Sequence, residues 1–467
     1  MEGHGPDACA TRSGKGRATL VIGMSTILIA GGRVIDPASG MDQIADVAVS
    51  CPLGGATGTV VAIGGGRDTK VGLDRGHADR VIDAKGRLVV PGLIDPHVHL
   101  RVPGGEHKET ISSGTQAAVF GGFTSVCCMP NTVPALDTPE LIESIGEIAR
   151  AEGVARVFCV GAATRGRKGE EIADLATMRK AGVVGFTDDG DAIASTEVMA
   201  EVLMEAARLG VVVMQHAQEP SMTRGSVMHA GSVATRLGLR GWPRLAEESI
   251  VERDVRLARG IAHARYHVQH VSSGGTVEIL RRVRAEIGDR ISGEASPHHL
   301  LLTHEACDGY NTSAKMNPPL REERDVMALR EGVADGTITV LATDHAPHAL
   351  HEKDVPFEEA AFGIIGLQTA LPLYAEALVA TGMIDWPRLI ALMTIEPARL
   401  CGLDAMGLGR LEVGGPADLT IIDPEAIWTI DPRAMPGKSK NTPFAGRRVR
   451  GRVTHTIVAG VLRHGGD

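Results

Sequence analysis

The chain has 467 residues, 43% of them hydrophobic and 22% charged, which is enough apolar material for a large buried core and more than one structural unit. Its 57 acidic and 48 basic residues give a net charge of -9, which argues against nucleic acid or an anionic membrane as the main partner. No apolar stretch reaches the length of a bilayer span, and seven cysteines without a C-x-x-C pair read as reduced cytosolic thiols rather than a disulfide framework. Cys127 and Cys128, adjacent on an apolar run, read as packing residues.

Residues 1–24, rich in Gly, Arg, Ser and Ala without an apolar signal-peptide core, read as a disordered leader, with Met24 a candidate start. Residues 25–90 alternate short apolar runs (26–30, 43–49, 59–64, 81–83, 87–90) with glycine-marked turns, a β pattern. The same pattern returns over 405–467, in 417–423 and 452–461. Two β segments flanking a different middle predict one small β-sandwich built from both ends of the chain.

The middle, 91–404, changes rhythm. Eight apolar runs end near His97, Asn131, Thr164, Asp188, His216, His270, His298 and Asp344. Helical text follows each, at 109–120, 139–152, 170–180, 195–209, 246–261, 276–287, 324–334 and 367–380. Eight βα units predict a (β/α)8 barrel, whose active sites lie at the C-terminal ends of the strands.

Polar residues fall where those strands stop. His97 and His99 stand two apart, so on a strand both imidazoles point to one side, an arrangement suited to a divalent metal such as zinc. Asp188 or Asp189, His216, His270 and Asp344 end other strands and converge on the same rim. That is too many ligands for one tetrahedral ion with an open position, and it suits two metals sharing a carboxylate. Asp344 is the candidate for moving the proton to a leaving nitrogen.

The segments Asp95-Pro96-His97-Val98-His99-Leu100-Arg101, Met129-Pro130-Asn131-Thr132, Phe186-Thr187-Asp188-Asp189-Gly190, Pro297-His298-His299, Lys315-Met316-Asn317-Pro318-Pro319-Leu320-Arg321 and Thr343-Asp344-His345-Ala346-Pro347-His348 together resemble the amidohydrolase superfamily, and within it the class I dihydroorotases. The resemblance spans nearly the whole chain after Met24. It implies a cyclic amidase of pyrimidine synthesis that interconverts N-carbamoyl-L-aspartate and L-dihydroorotate. Hydantoinases and allantoinases typically carry a carboxylated lysine after strand 4, and this strand has none. The family's spacing favours Asp189 as the bridge between one or two zinc ions, with His97, His99, His216, His270 and Asp344 as the other ligands and Asp344 as the catalytic group. It further implies that Arg101, Asn131 and His348 hold the substrate carboxylate, that Asn317 contacts the ring and that the backbone at Phe362 and Gly363 touches substrate.

By the same resemblance His298 and His299 are not ligands. His345 faces the opposite side of its strand from Asp344, and His263, His267, His304 and His351 read as packing or surface residues. The charged segment 349–361 reads as a loop that closes over substrate. The implied setting is cytoplasmic, with a small-molecule substrate, self-association into a homo-oligomer and aspartate transcarbamoylase as a partner of some relatives. Two rivals stand beside this reading: a hydantoinase or allantoinase, and a non-catalytic homologue that partners aspartate transcarbamoylase.

Overall fold

The computed structural model describes residues 24–52, 57–64 and 78–466. The expected leader lies outside the described residues except for Met24, which begins the first strand. Five strands open the chain: β1 (Met24–Asp36), β2 (Met41–Pro52), β3 (Val60–Gly64), β4 (Arg80–Asp83) and β5 (Leu88–Pro91). The middle contributes β6 (Leu93–Val98), β7 (Phe123–Cys128), β8 (Arg156–Ala162), β9 (Gly185–Thr187), β10 (Val212–Gln215), β11 (Met228–His229), β12 (Gly241–Trp242), β13 (Arg265–Val268), β14 (Ile291–Ala295) and β15 (Val340–Leu341). Three more close it: β16 (Leu419–Thr429), β17 (Arg448–Val458) and β18 (Val461–His464).

The two chain ends meet in one sheet of order β18-β17-β16-β5-β1-β2-β3, with β4 paired to β1. Strand β5 is the seam, parallel to β1 on one side and antiparallel to β16 on the other. The expected sandwich is therefore one continuous hydrogen-bonded sheet. Its core is shared: Ile27, Ile29, Val34 and Val47 from the first segment pack with Leu419, Ile421 and Ile457 from the last. Along β17 the exposed Arg448, Arg450 and Arg452 alternate with buried Val449 and Val453, as a sheet with one wet face requires.

Eight parallel strands form the second sheet, in the order β15-β14-β13-β10-β9-β8-β7-β6. A parallel bridge from Val98 to His345, with His99 N donating to His345 O at 2.9 Å, brings the first strand against the segment after the last. Strands β6 and β7 are buried at every position, because one face fills the barrel and the other meets helices. Inward residues Ile94, Cys127, Val160, Val212, Met214 and Val340 cluster with Ala398, Leu400 and Leu408, which close the end opposite the strand C-termini. Among the described residues no helix is long and apolar enough to cross a membrane.

The helices follow the strands as expected, with three differences. The text at 170–180 is helical only over Leu175–Lys180. Before it, Arg165 N donates to Glu171 O at 2.8 Å and Thr164 bridges Ile172, so 165–172 fold back as a loop. The text at 367–380 is split into Ala370–Tyr374 and a wider turn, Ala375–Val379. Between β10 and the helix Leu245–Gly260 the chain makes an excursion carrying the small pair β11–β12, which the sequence reading does not anticipate.

Candidate active site

Asp189 lies at the centre of the barrel mouth. Its carboxylate stands 3.4 Å from His97 Nε2, 3.5 Å from His99 Nε2, 3.5 Å from His216 Nδ1 and 3.4 Å from His270 Nε2. Asp344 Oδ1 stands 3.0 Å from His99 Nε2 and 3.5 Å from His97 Nε2. All six side chains are buried. Three overlapping sets within this cluster have donor atoms close enough to share an ion: His97, His99 and Asp189; His97, His270 and Asp344; and Asp189, His216 and His270.

The choice between the two strand-4 aspartates follows from their partners. Asp188 faces the turn after β8, where it accepts from the N–H groups of Ala163 and Thr164, both at 3.0 Å, and from the Thr164 hydroxyl. Its oxygens are spent. Asp189 N donates to Thr187 Oγ1 at 3.0 Å, and the carboxylate is left facing the imidazoles.

Each of three imidazoles has its far nitrogen tied to a side-chain oxygen. His97 Nδ1 donates to Glu294 Oε1 at 2.6 Å, His99 Nδ1 to Asn131 Oδ1 at 2.8 Å, and His216 Nε2 to Gln218 Oε1 at 2.9 Å. That fixes the orientation of each ring and turns its near nitrogen into the cluster. His97 Nε2 and Asp189 Oδ1 are buried without a hydrogen-bond partner. Buried polar atoms are rarely left so, and a cation is the partner this donor set of imidazoles and carboxylates fits.

The electrostatics agree with that. Burial pushes Asp344 up, but His97, His99 and His270 outweigh it and hold the carboxyl far below the usual range. Asp189 is likewise held down, burial being outweighed by His97, His216 and His270. Burial lowers His97, yet Asp189, Glu294 and Asp344 raise it well above the ordinary value. The site is an excess of negative charge buried among imidazoles, with the acids ionised. Arg101, His270 and Asp344 have φ of 62°, 31° and 48°, a left-handed backbone that costs free energy outside glycine and clusters at functional sites.

Of the expected substrate residues, Asn131 touches the cluster directly, and Asn317 is linked to it through Gln218. Arg101 Nη2 lies 3.3 Å from His348 Nε2, and its Nε donates to Pro347 O at 3.2 Å. Asn131 is at the cluster through its contact with His99. Asn317 Nδ2 donates to Gln218 Oε1 at 3.1 Å. Gly363 abuts the His348 ring, so closely that a Cβ on it would fall 2.7 Å from His348 Cδ2. Its N–H donates to Lys315 O at 3.0 Å, and its carbonyl accepts from Lys353 Nζ and Asn441 Nδ2. Phe362 lies under the Lys315 ammonium, 4.4 Å from the ring centroid. The segment 349–361 is fastened by the same two lysines: Lys315 Nζ donates to Phe357 O and Glu358 O, and Lys353 Nζ to Ala361 O.

His345 faces away, accepting from Gly366 N at 3.1 Å. His298 is buried near the cluster with Nε2 unpartnered, and burial lowers it to about 4. Three residues were missed in the sequence reading: Glu294, His267, and Gln218, which holds His216 and Asn317. Glu294, at the end of β14, ties His97 Nδ1 to His267 Nε2, the latter at 3.0 Å, and His267 Nδ1 lies 2.7 Å from Ser292 Oγ. His267 is therefore linked to a cluster imidazole rather than merely packed. The available signal was an acidic residue inside the otherwise uncharged run Ile291-Ser292-Gly293-Glu294-Ala295.

Comparison with known proteins agrees with this geometry. The dihydro-orotase-like family model matches residues 86–275, and the amidohydrolase family model matches residues 323–464. The chain is 49% identical to the dihydroorotase of Syntrophotalea carbinolica over 94% of its own length and 99% of that protein. It is 45% identical to the dihydroorotase of Trichlorobacter lovleyi over 93% of its length and 98% of that protein. Among solved structures, the L-hydantoinase of Arthrobacter aurescens superposes with a TM-score of 0.80 at 24% identity, over 94% of this chain and 96% of that one. The dihydropyrimidinase of Brevibacillus agri gives 0.77 at 24% identity, over 94% and 95%. At that identity the likeness speaks for the fold alone. The identity shared with the two dihydroorotases, nearly end to end, is what assigns the chain to the dihydroorotase family of the amidohydrolases.

Proposed function

We propose that the protein is a metal-dependent dihydroorotase that reversibly converts N-carbamoyl-L-aspartate to L-dihydroorotate. The observation that carries the reading is the Asp189 carboxylate lying within 3.5 Å of four imidazoles, on a strand whose end has no lysine. His97, His99, Asp189, His216, His270 and Asp344 would hold one or two zinc ions, with Asp189 between the pair His97 and His99 and the pair His216 and His270. When bound, such ions supply Lewis acidity toward the ring carbonyl and acidify water.

The chain's own residues then do the following. Asp344, held ionised, takes the proton of the attacking water at a carboxylate oxygen and delivers it to the departing ring nitrogen as the C–N bond breaks. In the reverse direction it takes that proton back from nitrogen, and water leaves. Arg101 presents a planar guanidinium suited to a substrate carboxylate, and Asn131 keeps its Nδ2 as a donor after using Oδ1 on His99. His348 completes that wall, with Asn317 and the Phe362–Gly363 backbone along the ring. Zinc as the metal, a cytoplasmic setting, self-association and an association with aspartate transcarbamoylase belong to this reading as its further expectations.

The test is dihydroorotate hydrolysis by the purified, zinc-supplemented protein, with hydantoin and allantoin alongside. Dihydroorotate alone should turn over, and Asp344→Asn should lower kcat by roughly 10²- to 10⁴-fold, the usual share of a positioned acid–base group. Turnover of hydantoin or allantoin instead would overturn the substrate assignment. Stoichiometric metal without any turnover would favour the non-catalytic homologue.

A further inference from the structure

The segment between β16 and β17 leaves the end sheet and packs against the loops that follow β6 and β15, at one side of the barrel mouth. It is fastened on both sides. Lys438 Nζ donates to Glu106 O, Ser439 Oγ donates to Lys108 O at 2.7 Å, and Gln368 Nε2 donates to Pro436 O at 2.7 Å. Phe444 anchors it in an apolar cluster with Ile365, Leu373 and Ile430. At its centre stands Asn441, 7% exposed.

Every polar atom of the Asn441 side chain is used on the segments that form the substrate wall. Oδ1 accepts from His348 N at 3.0 Å, and Nδ2 donates to Ala346 O and to Gly363 O, both at 3.0 Å. Its own carbonyl accepts from Ile365 N at 3.0 Å. The amide orientation is dictated by chemistry, since an N–H must meet an oxygen and a carbonyl must meet an N–H. One side chain thus joins 346–348, just after β15, to Gly363, and the main chain of the same residue adds the bond to Ile365. Between them lies the contact of the His348 ring with Gly363, where no Cβ fits.

We infer that Asn441 is a positioning residue: it holds the His348 and Gly363 wall in register, so the β-rich end of the chain takes part in substrate binding. The inference rests on the dihydroorotase reading for its substrate. It assigns Asn441 no contact with substrate or metal. The effect is on where His348 stands relative to Arg101, and a misplacement there costs binding of the carboxylate more than proton transfer at Asp344.

Two variants separate the two arms. Asn441→Ala removes both. Asn441→Asp keeps the acceptor for His348 N and replaces the donor to the two carbonyls by an oxygen. Both are compared with Lys440→Gln, whose ammonium caps Met435 O and Gly437 O in the same segment without reaching the wall. The expected result is a KM for dihydroorotate raised about tenfold or more in both Asn441 variants, with kcat and bound metal near the wild-type values. Hydrogen exchange at the His348 amide should accelerate about tenfold or more in Asn441→Ala and much less in Asn441→Asp. Lys440→Gln should change neither. An unchanged KM, an unaltered His348 amide, or a loss shared with Lys440→Gln would overturn the inference. Wild-type protein without dihydroorotate turnover would sink the functional reading instead, and amide exchange would then decide whether Asn441 fixes the wall.

Discussion

Glu294 shows how much of a ligand's behaviour is set by the residue behind it. Its carboxylate accepts from His97 Nδ1, His267 Nε2 and His270 N, so two of the cluster's histidines are held by one acid. Burial pushes Glu294 up, but His97 and His267 outweigh it and hold it at about 2, ionised at any working pH. A carboxylate on the far nitrogen raises an imidazole's basicity and fixes its ring. Glu294→Gln keeps the shape and removes the charge. It should weaken metal binding about 10- to 100-fold, read by competition against a chromogenic chelator. Affinity equal to wild type would mean that the hydrogen bond only packs the ring.

Whole elements meet through close backbone contacts, and the sequence marks some of these with glycine. The helix Ile111–Phe120 begins at Thr110, whose side chain accepts from Ser113 N while the Ser113 side chain reaches back to the Thr110 N–H. It ends at Gly121, where the backbone is ordinary right-handed helix, φ -83°, and suits any residue. What requires glycine there is space: a Cβ would fall 2.0 Å from Leu367 O, on the turn that leads into the last barrel helix. Gly121→Ala should therefore destabilise the fold by about 1–3 kcal/mol through overpacking of the first unit against the last, measured as a lower urea midpoint. An unchanged midpoint would show that the turn yields without cost. The expected helix at 170–180 failed for a related reason. Its helical composition is real, but Asp174 accepts from Thr177 N as a cap, so the helix starts late and the preceding residues fold back on β8.

Across the whole molecule, the excursion after β10 is tied to the barrel by a buried polar network. Arg321 donates to Ser272 Oγ at 3.0 Å and to Trp242 O at 3.2 Å, and its Nη1 lies 3.3 Å from His229 Nδ1. His229 is consequently held neutral: burial, then Arg321 and Arg244, lowers it from 6.5 to about 3. The unfolded chain would bind a proton at this histidine below pH 6.5, whereas the folded chain does so only near pH 3. Its contribution is therefore complete above pH 6.5 and lost as pH falls toward 3. His229→Gln should flatten the fall of stability around pH 5 by about one proton in denaturant titrations across pH. A slope equal to the wild type's would contradict a neutral, buried His229.

Sequence alone carried the barrel and much of its rim, because both are local. Period and composition place strands, the side chains at a strand's end share a mouth once the strands run parallel, and His97 with His99 needs only a spacing of two. It also brought the two β ends together, because the same β pattern recurs on both sides of a different middle. Asp188 and Asp189 could not be told apart by chemistry, because the choice depends on whether the turn after β8 offers N–H groups to one of them. Glu294 reaches His97 across 197 residues of chain, and Asn441 reaches Ala346 across 95. Neither pairing leaves a local pattern. Which distant oxygen fixes an imidazole, and which side chain from the segment between β16 and β17 pins the substrate wall, were decided only when the barrel closed and that segment packed against the loops after β6 and β15.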